Sequence, residues 1–519
     1  PADASAQPTP APALAISPLE SIPAPAPHEV ARVYLTARLH ARLVAERHVA
    51  LCGLAGSGKT TLAAALAREY AEATPVFWLT LTTGITASIA VLVRQLAHFL
   101  LAHGQEAARP LLRPTRLDDE TLALDQQLRL LCAGLTRLAQ RYAGRRALPP
   151  LLCLDNVHLA QGDAAMMHAL RHLATTSTAR VLLTSRERLH ALPDWAQVPL
   201  MGMEPAEGRE LIEKLSGHAD GAVQSRAWAG RLLDKTGGNP MFVQLAVGQM
   251  LDERAEPSAF IAQLESQPQI AGYLLDAVER HTSPHARNIL ALLSVFRQPV
   301  DLTDPLLAQL LEASDGASDL AVPLAELTQR HLIHYPGRAQ LHPLLRDYVY
   351  ATLRTQLPRR QQLHRLAAEW AELGLDNPLE ASYHYCQSGD LTDATATLVD
   401  HVDAISNGGQ AFVVADLAGE IVARARRRRG EYGTVMRQLL TLRGDLLIHT
   451  LRAEEAEASY REALALAAGS DAWAQIACRL AHSLTQRGQA SEAVALCQQA
   501  LARCAPSAIV LRAQLSAAE

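Results

Sequence analysis

The chain has 519 residues, which is too long for one hydrophobic core, so we expect several domains. A formal charge of −5 gives no general reason for binding to nucleic acid or to an anionic membrane. No apolar stretch reaches the roughly 18 residues of a membrane span. The seven cysteines show no metal-type spacing, which favours reduced thiols in a cytoplasmic protein.

Residues 1–28 contain eight prolines among alanine and serine. This composition predicts an extended linker, which is either a tether to an upstream domain or a plain tail. From 29 to 200, short apolar runs alternate with helical patterns, which indicates a parallel sheet with helices on both faces. The expected strands of this nucleotide-binding domain span 49–52, 76–81, 151–154, 181–184 and 198–200.

The first expected strand runs into the segment GLAGSGKTT at 53–61, which fits the phosphate-binding pattern G-x-x-x-x-G-K-[ST] at every fixed position. In this pattern, backbone N–H groups surround the phosphates, and the following helix adds the partial positive charge of its N-terminus. We expect Lys59, one of only three lysines among 48 basic residues, to contact the β- and γ-phosphates. The expected nucleotide-binding residues are Gly53, Ala55, Gly56, Ser57, Gly58, Lys59, Thr60 and Thr61.

A second apolar strand ends in the carboxylate of Asp155, followed by Asn156. An apolar run before an aspartate is common, but together with the phosphate-binding segment it predicts that Asp155 and Thr60 hold Mg²⁺. Asn156 stands where hydrolytic relatives place a second acid. An amide can orient a water molecule but cannot take its proton, so we expect slow hydrolysis.

A third strand ends in Thr184-Ser185-Arg186. Arg186 either reaches the γ-phosphate or is a surface arginine paired with an acid such as Glu187. The expected catalytic set is therefore Lys59, Asp155, Asn156 and Arg186. The segment Gly237-Gly238-Asn239-Pro240, by itself, predicts only a helix end and restart.

Helical patterns dominate after 201, and we assign 201–283 to a helical lid domain. Residues 284–358 combine three helices with a short hairpin around Pro336-Gly337, which is typical of a winged helix. Its segment 321–330 carries one basic residue beside Glu326, too little charge for phosphate contacts, so direct DNA binding is not expected. The basic run 424–429 is interpreted as a solvated helix end.

Residues 359–430 form a helical connector, and 431–519 show a weak internal repeat with a period of 37 between Ala463 and Ala500. The alternative is an ordinary helical bundle. The positions that match a tetratricopeptide repeat are Gly444, Ala456, Tyr460 and Ala463, then Ala481, Leu484, Ala493, Cys497 and Ala500. The fold class is thus multidomain α/β plus α: a P-loop NTPase parallel sheet, a helical lid, a winged helix and α-solenoid repeats.

This combination resembles the STAND class of signal-transduction ATPases, which includes regulators of the maltose-activator type and the NB-ARC switches. The resemblance covers about 45–360 and rests on the segments at 53–61, 154–156, 184–186, 238–240 and 341–344. It implies that Pro240 packs on adenine, that Arg186 is a sensor and that His342 contacts the β-phosphate of ADP. The chain departs from the family where residues 27–32 replace a G-R-E-type segment, and neither terminus shows an output domain.

The resemblance also implies an ADP-bound closed monomer, an unknown inducer read by the repeats and an ATP-bound form that self-associates. We therefore expect a switch controlled by ATP, ADP and Mg²⁺ that regulates transcription or a fused effector. One alternative is an ATPase enzyme doing chaperone-like work. The other is a repeat scaffold with a vestigial nucleotide site.

Overall fold

The structure is a computed structural model that describes residues 22–112, 122–142, 148–216, 225–252, 256–315, 320–334, 338–402, 405, 411–428, 433–448, 452–467 and 470–503. Most of the expected linker at 1–28 therefore lies outside the described residues. So do the expected turn at Pro336-Gly337 and the chain after 503.

A five-stranded parallel sheet organises the first domain, in the order β2-β3-β4-β1-β5. All five expected strands form, with bounds shifted by one or two residues. The strands are β1 His48–Cys52, β2 Val76–Thr80, β3 Leu151–Asp155, β4 Arg180–Ser185 and β5 Ala196–Pro199. Cys52 pairs with Ser185, and Leu154 with Leu183, so the carboxyl ends of β1, β3 and β4 meet at one edge.

Helices cover both faces of this sheet because successive strand residues point to opposite sides. On β2, Phe77 packs into one apolar cluster and Trp78 into the other. The first cluster includes α3, α4 and α5, and the second includes α1 and α2. Their bounds are α1 Val33–Glu46, α2 Lys59–Ala71, α3 Ile89–Ala102, α4 Leu124–Tyr142 and α5 Ala164–Thr176.

The lid and the winged helix share one apolar core, to which Leu232, Leu245, Ile289 and Leu345 all belong. The lid helices are α6 Pro205–Ser216, α7 Ser225–Thr236, α8 Pro240–Asp252, α9 Pro257–Glu265 and α10 Ile270–His281. The winged-helix elements are α11 Pro284–Val295, α12 Pro305–Asp315, α13 Ala321–Gln329, antiparallel β6 Ile333–His334 and β7 Gln340–Leu341, and α14 Pro343–Thr355. Because their core is continuous, these two units pack as one body.

The remaining chain is a stack of helices with its own core, and the first helix of the stack also packs Leu363 and Trp370 into the core of the lid and winged helix. Each helix packs mainly on its neighbours in sequence, as in a repeat array rather than a bundle. The helices are α15 Leu357–Leu373, α16 Pro378–Ser388, α17 Leu391–Asp400, α18 Ala411–Arg427, α19 Gly433–Ile448, α20 Ala453–Leu466, α21 Ser470–Gln486 and α22 Ala490–Arg503. The expected repeat is confirmed in its packing: a Cβ at Gly444 would lie 2.5 Å from the Tyr460 ring.

The basic run after 424 is not simply solvated. Arg424 donates to the carbonyl oxygen of Cys386 at 2.8 Å, and Arg428 donates to that of Gly389 at 3.0 Å. Arg426 forms an ion pair with Glu462. These arginines therefore join neighbouring helices of the stack. Within the described ranges, no helix has the length and apolar character that crossing a bilayer requires.

Candidate nucleotide-binding site

The phosphate-binding segment leaves β1 at the sheet edge where the carboxyl ends of three strands meet. The Gly53 N–H donates to the Ser185 carbonyl oxygen at 3.2 Å, which continues the pairing of β1 with β4. A Cβ at Gly53 would lie 2.8 Å from the Leu200 carbonyl oxygen. Only glycine therefore allows the chain to pass between the carboxyl ends of β4 and β5.

Two further glycines turn the segment back on itself. Gly56 and Gly58 have φ angles of 79° and 87°, a region that L side chains rarely adopt, and Gly58 is the residue before α2 begins. The turn encloses the Ser57 hydroxyl, which is buried and, among the described residues, has no hydrogen-bond partner. A buried hydroxyl without a partner is costly, and a phosphate oxygen at this place would satisfy it.

Lys59 folds over the same segment. Its Nζ donates to the carbonyl oxygens of Gly53 and Leu54, each at 2.8 Å. Burial lowers the Lys59 pKa to about 8, although the nearby Asp155 charge opposes this effect. An anionic ligand would stabilise this poorly compensated ammonium, so the Lys59 environment fits a bound phosphate.

The predicted metal ligands lie next to each other. The Thr60 hydroxyl donates to Asp155 Oδ1 at 2.9 Å, and the Thr184 hydroxyl donates to the same oxygen. Asp155 is buried, and burial raises its pKa, while these hydrogen bonds oppose the rise. Among the described residues, no group of three or more His, Cys, Asp or Glu side chains could hold a metal. An all-oxygen pair of this kind fits Mg²⁺, which keeps water and phosphate oxygens as its other ligands.

Asn156 occupies a strained position directly after β3. Its φ angle of 63° lies in the left-handed region, which asparagine tolerates better than most residues. Its N–H donates to the Thr184 hydroxyl at 3.0 Å. This bond holds the Asn156 backbone beside Asp155 at the sheet edge, and its role with water stays a prediction.

The lid domain closes over the segment from the other side. Asn239 Nδ2 donates to the Ala55 carbonyl oxygen at 3.1 Å. The Met241 N–H donates to the Gly56 carbonyl oxygen at 3.4 Å. A Cβ at Gly58 would lie 3.9 Å from Pro240 Cγ. The segment at 237–240 therefore does more than restart a helix, because it docks the lid on the phosphate-binding segment.

The stretch that replaces the G-R-E-type segment also joins these two domains. Val30 is buried in the lid core. Arg32 forms an ion pair with Glu207 at 3.0 Å and donates to the Gly202 carbonyl oxygen at 3.0 Å. Glu29 pairs with Arg68 of α2 at 2.6 Å. The described part of this stretch therefore fastens α2 to the lid.

The winged helix presents His342 to the same site. Its Nδ1 accepts the Leu344 N–H at 3.2 Å at the start of α14. Burial, with the positive charges of Arg186 and Lys59, lowers the His342 pKa to about 4, so the ring is neutral at pH 7. Because Nδ1 is the acceptor, the proton is on Nε2. His342 can therefore donate one hydrogen bond to an anion.

Arg186 is paired with the winged helix. Its Nη1 lies 3.2 Å from Asp347 Oδ2, and both side chains are exposed. Its N–H approaches Nδ1 of His158 at 3.4 Å. Arg186 is thus a surface arginine paired with an acid, and its charge also lowers the pKa values of Lys59 and His342. Its contact with a γ-phosphate stays a prediction. The acid is Asp347, however, and not Glu187.

Sequence reasoning missed four residues of this site: Thr184, Asn239, His158 and Asp347. Thr184 and Asn239 lie inside the segments 184–186 and 237–240, and the position of Thr184 at the carboxyl end of β4 is a signal for a site residue. Asp347 carries no local signal, because its contact with Arg186 spans 161 positions.

Residues 29–185 match the family model described as an AAA ATPase domain. This match and the observed sheet order identify the first domain as a P-loop ATPase domain, which binds nucleotide. The sequence resemblance is confirmed at this level, as a P-loop ATPase domain followed by helical repeats. A search of curated proteins found no match.

Several solved structures are similar to this chain at low identity. One is a STAND protein with a tetratricopeptide repeat sensor from Pyrococcus horikoshii, at 15% identity over 94% of this chain and 80% of that chain, with a TM-score of 0.46. A Walker-type ATPase of Pyrococcus abyssi aligns at 14% identity over 62% of this chain and 96% of its own, with a TM-score of 0.33. Cdc6p from Pyrobaculum aerophilum aligns at 14% identity over 66% of this chain and 97% of its own, with a TM-score of 0.28.

Proposed function

We propose that this chain is a cytoplasmic switch controlled by ATP and ADP. It binds ATP with Mg²⁺ at residues 53–61, hydrolyses it slowly, and self-associates in the ATP form when an inducer is read by the repeats. Its output is transcription or a fused effector. The observation that supports the proposal is that Lys59 and Asn239, from two domains, both bond carbonyl oxygens of residues 53–55. The charge of Lys59 also lowers the pKa of His342 in the winged helix.

The proposal gives each site residue a role that its position supports. Lys59 and the Ser57 hydroxyl bind phosphate oxygens, while Thr60 and Asp155 hold the metal. Magnesium, when bound, supplies charge neutralisation between the phosphates. Asn156 orients water without accepting its proton, which keeps turnover slow. Pro240, at the lid edge over Gly58, packs on adenine.

Arg186 distinguishes ATP from ADP by binding a different partner in each state. With ADP, Arg186 stays on Asp347, and His342 Nε2–H donates to the β-phosphate. A γ-phosphate offers Arg186 a partner of higher charge than one exposed carboxylate. An exposed pair such as Arg186–Asp347 contributes only about 0–1 kcal/mol, so the phosphate readily displaces it.

The packing supports movement of the lid and winged helix together. These units share one core, whereas the contacts described above between them and the ATPase domain are mainly hydrogen bonds and ion pairs. Polar contacts exchange with water at little net cost. Release of Arg186 from Asp347 would therefore loosen one polar contact between this body and the ATPase domain.

The first test removes the Lys59 ammonium. Purified wild-type protein should retain adenine nucleotide and show an ATP-dependent rise in melting temperature, and Lys59→Ala should lose both. Lys235→Ala is the matched control, since the Lys235 ammonium is exposed and bonded to the Glu265 carbonyl oxygen. Wild-type protein with neither bound nucleotide nor thermal shift would refute the proposal.

Two measurements separate the alternatives. Sustained turnover of about 1 per second or faster would favour an ATPase doing chaperone-like work. If Lys59→Ala left assembly state and partner binding unchanged, the chain would be a repeat scaffold with a vestigial site. Slow turnover with nucleotide-dependent assembly supports the switch.

His342 gives a further test. His342→Ala should loosen the ADP-bound form and raise the oligomer fraction, as measured by light scattering with ADP. His168→Ala is the control, because His168 lies on the surface and pairs with Asp125. An unchanged ratio of monomer to oligomer in His342→Ala would contradict the role given to the winged helix.

A further inference from the structure

A cavity of about 410 Å³ lies in the helical stack, between α18, α19 and α20. This volume lies within the roughly 300–1,000 Å³ that is typical of small-molecule sites. Helices α18 and α20 form its walls, and α19 lies between them. None of its lining residues belongs to the nucleotide-binding site.

One stripe of α18 faces this cavity. Asp416, Gly419, Val422 and Arg426 follow each other at helical spacing and all line it. Gly419 creates room, since a Cβ there would lie 3.2 Å from Arg443 Nε. The stripe thus presents an acid at one end and a base at the other, with the Arg443 side chain packed against Gly419 between them.

Two ion pairs connect α18 with α20 and the residue before it. In one pair the acid is on α18, and in the other the base is on α18. Asp416 pairs with Arg452 at 2.6 Å, and Arg426 Nε donates to Glu462 Oε1 at 3.0 Å. Arg452 also pairs with Glu455 at 2.6 Å. A ligand could therefore take the place of Arg452 on Asp416 without leaving Arg452 uncompensated.

Arg443 lies between these two ends. Its guanidinium donates to the Ser459 hydroxyl at 2.8 Å and pairs with Glu455 at 2.6 Å. Its Nε–H, on the Gly419 side, is buried and has no acceptor among the described residues. This donor lies against the Gly419 backbone, so the Arg443 side chain would have to rotate away from α18 before a carbonyl oxygen in the cavity could accept from it.

The charge balance selects the ligand. The two acids and two bases of the lining are already paired with groups of opposite charge, so a ligand that replaces a partner at both ends must itself carry one positive and one negative charge. Asp416 and Arg426 lie ten positions apart, which is about 15 Å along a helix. Subtracting a contact of about 3 Å at each end leaves about 9 Å, the length of two to three extended residues.

The geometry points to a binding site for a short peptide with free termini, two or three residues long. Its ammonium binds Asp416, its carboxylate binds Arg426, and a backbone carbonyl oxygen accepts from Arg443. Glu462, which the carboxylate displaces, is about one-third exposed and turns to water. That this peptide is the inducer rests on the function proposed above, whereas its binding does not.

The test uses dialanine and trialanine as probes on the full chain, by isothermal titration calorimetry. At least one should bind, and N-acetylation or C-terminal amidation should each weaken it at least tenfold. Asp416→Asn and Arg426→Gln should do the same. Arg461→Gln is the control, because Arg461 pairs with carboxylates of α20 and α22 but does not line the cavity.

Gly419→Leu should abolish binding by filling the cavity, with folding checked by circular dichroism. Failure of both probes at millimolar concentration, or equal binding of capped peptides, overturns the site. Binding should persist in Lys59→Ala, which separates this site from the nucleotide site. Peptide binding that leaves ADP release unchanged would uphold the site and refute its role as the inducer site.

Discussion

Two buried cations lie where domains meet, and their surroundings differ. Lys59 has carbonyl oxygens as its hydrogen-bond partners, beside the unsatisfied hydroxyl of Ser57. Arg297, at the end of α11, binds both carboxylate oxygens of Glu380, at 3.1 and 2.5 Å. It also stacks on Tyr383 at 3.7 Å from the ring centroid and donates to the Gly84 carbonyl oxygen at 3.2 Å.

This difference in hydrogen-bond partners distinguishes a candidate ligand site at Lys59 from a structural contact at Arg297 and Glu380, which we call the joint. Burial would raise the pKa of the Glu380 carboxyl, but the Arg297 charge and hydrogen bonds outweigh it and hold that pKa well below its usual range. The joint connects the ATPase domain through Gly84, the winged helix through Arg297 and the connector through Glu380. The buried charge of Arg297 has a carboxylate partner that joins the domains, whereas the buried Lys59 ammonium has only neutral carbonyl oxygens as hydrogen-bond partners.

The largest expected effect comes from breaking the joint. Glu380→Ala leaves Arg297 buried without its carboxylate and should cost about 3–5 kcal/mol of unfolding free energy. The measurement is urea unfolding, followed by circular dichroism. Glu265→Ala is the matched control, because Glu265 binds Arg231 with both oxygens at the surface, where loss costs about 1 kcal/mol or less. An equal loss of unfolding free energy in the two variants would show that the buried pair stabilises the protein no more than the surface pair does.

The next effect comes from Asp155. Asp155→Asn keeps the shape of the side chain but removes the charge that binds Mg²⁺, so Mg-dependent ATP affinity should fall about tenfold or more, or 1.4 kcal/mol. Without nucleotide the variant should be at least as stable as wild type, because a buried carboxylate with a raised pKa is removed. Calorimetric titration with and without Mg²⁺, together with thermal melts, checks both. A large loss of apo stability would mean that Asp155 is mainly structural.

The third effect is a pH dependence of nucleotide affinity. The Lys59 pKa is lowered to about 8 without ligand, and a bound phosphate raises it. Binding therefore takes up a proton above pH 8, and affinity should fall by up to about tenfold per pH unit. Below pH 7 the ammonium is already formed, so this contribution is constant there. Titrations between pH 7 and 9.5 test it, and a flat profile would show that Lys59 is not perturbed.

The strands and the phosphate-binding segment could be predicted because each has a local signal. Apolar runs mark the strands, and the carboxyl ends of parallel strands meet, which places Asp155 beside Thr60. The joint could not be predicted, since Arg297 and Glu380 are 83 positions apart and neither belongs to a motif. Their pairing depends on how the winged helix packs on α16, which no periodicity in the sequence encodes.

The smallest expected effect concerns the exposed pair of Arg186 and Asp347, which contrasts with the buried pair of Arg297 and Glu380. Asp347→Asn should change unfolding free energy by no more than about 1 kcal/mol, because both partners are solvated. The same 1 kcal/mol, applied to a closed-to-open equilibrium, raises the open fraction about fivefold. Light scattering with ADP should therefore show more oligomer in this variant, because the pair stabilises the closed form only in the ADP state. The control Asp301→Asn, which changes an exposed acid of the winged helix that bonds Thr303, should cause no change. A change in stability without a change in assembly would place Arg186–Asp347 with the joint and not with the switch.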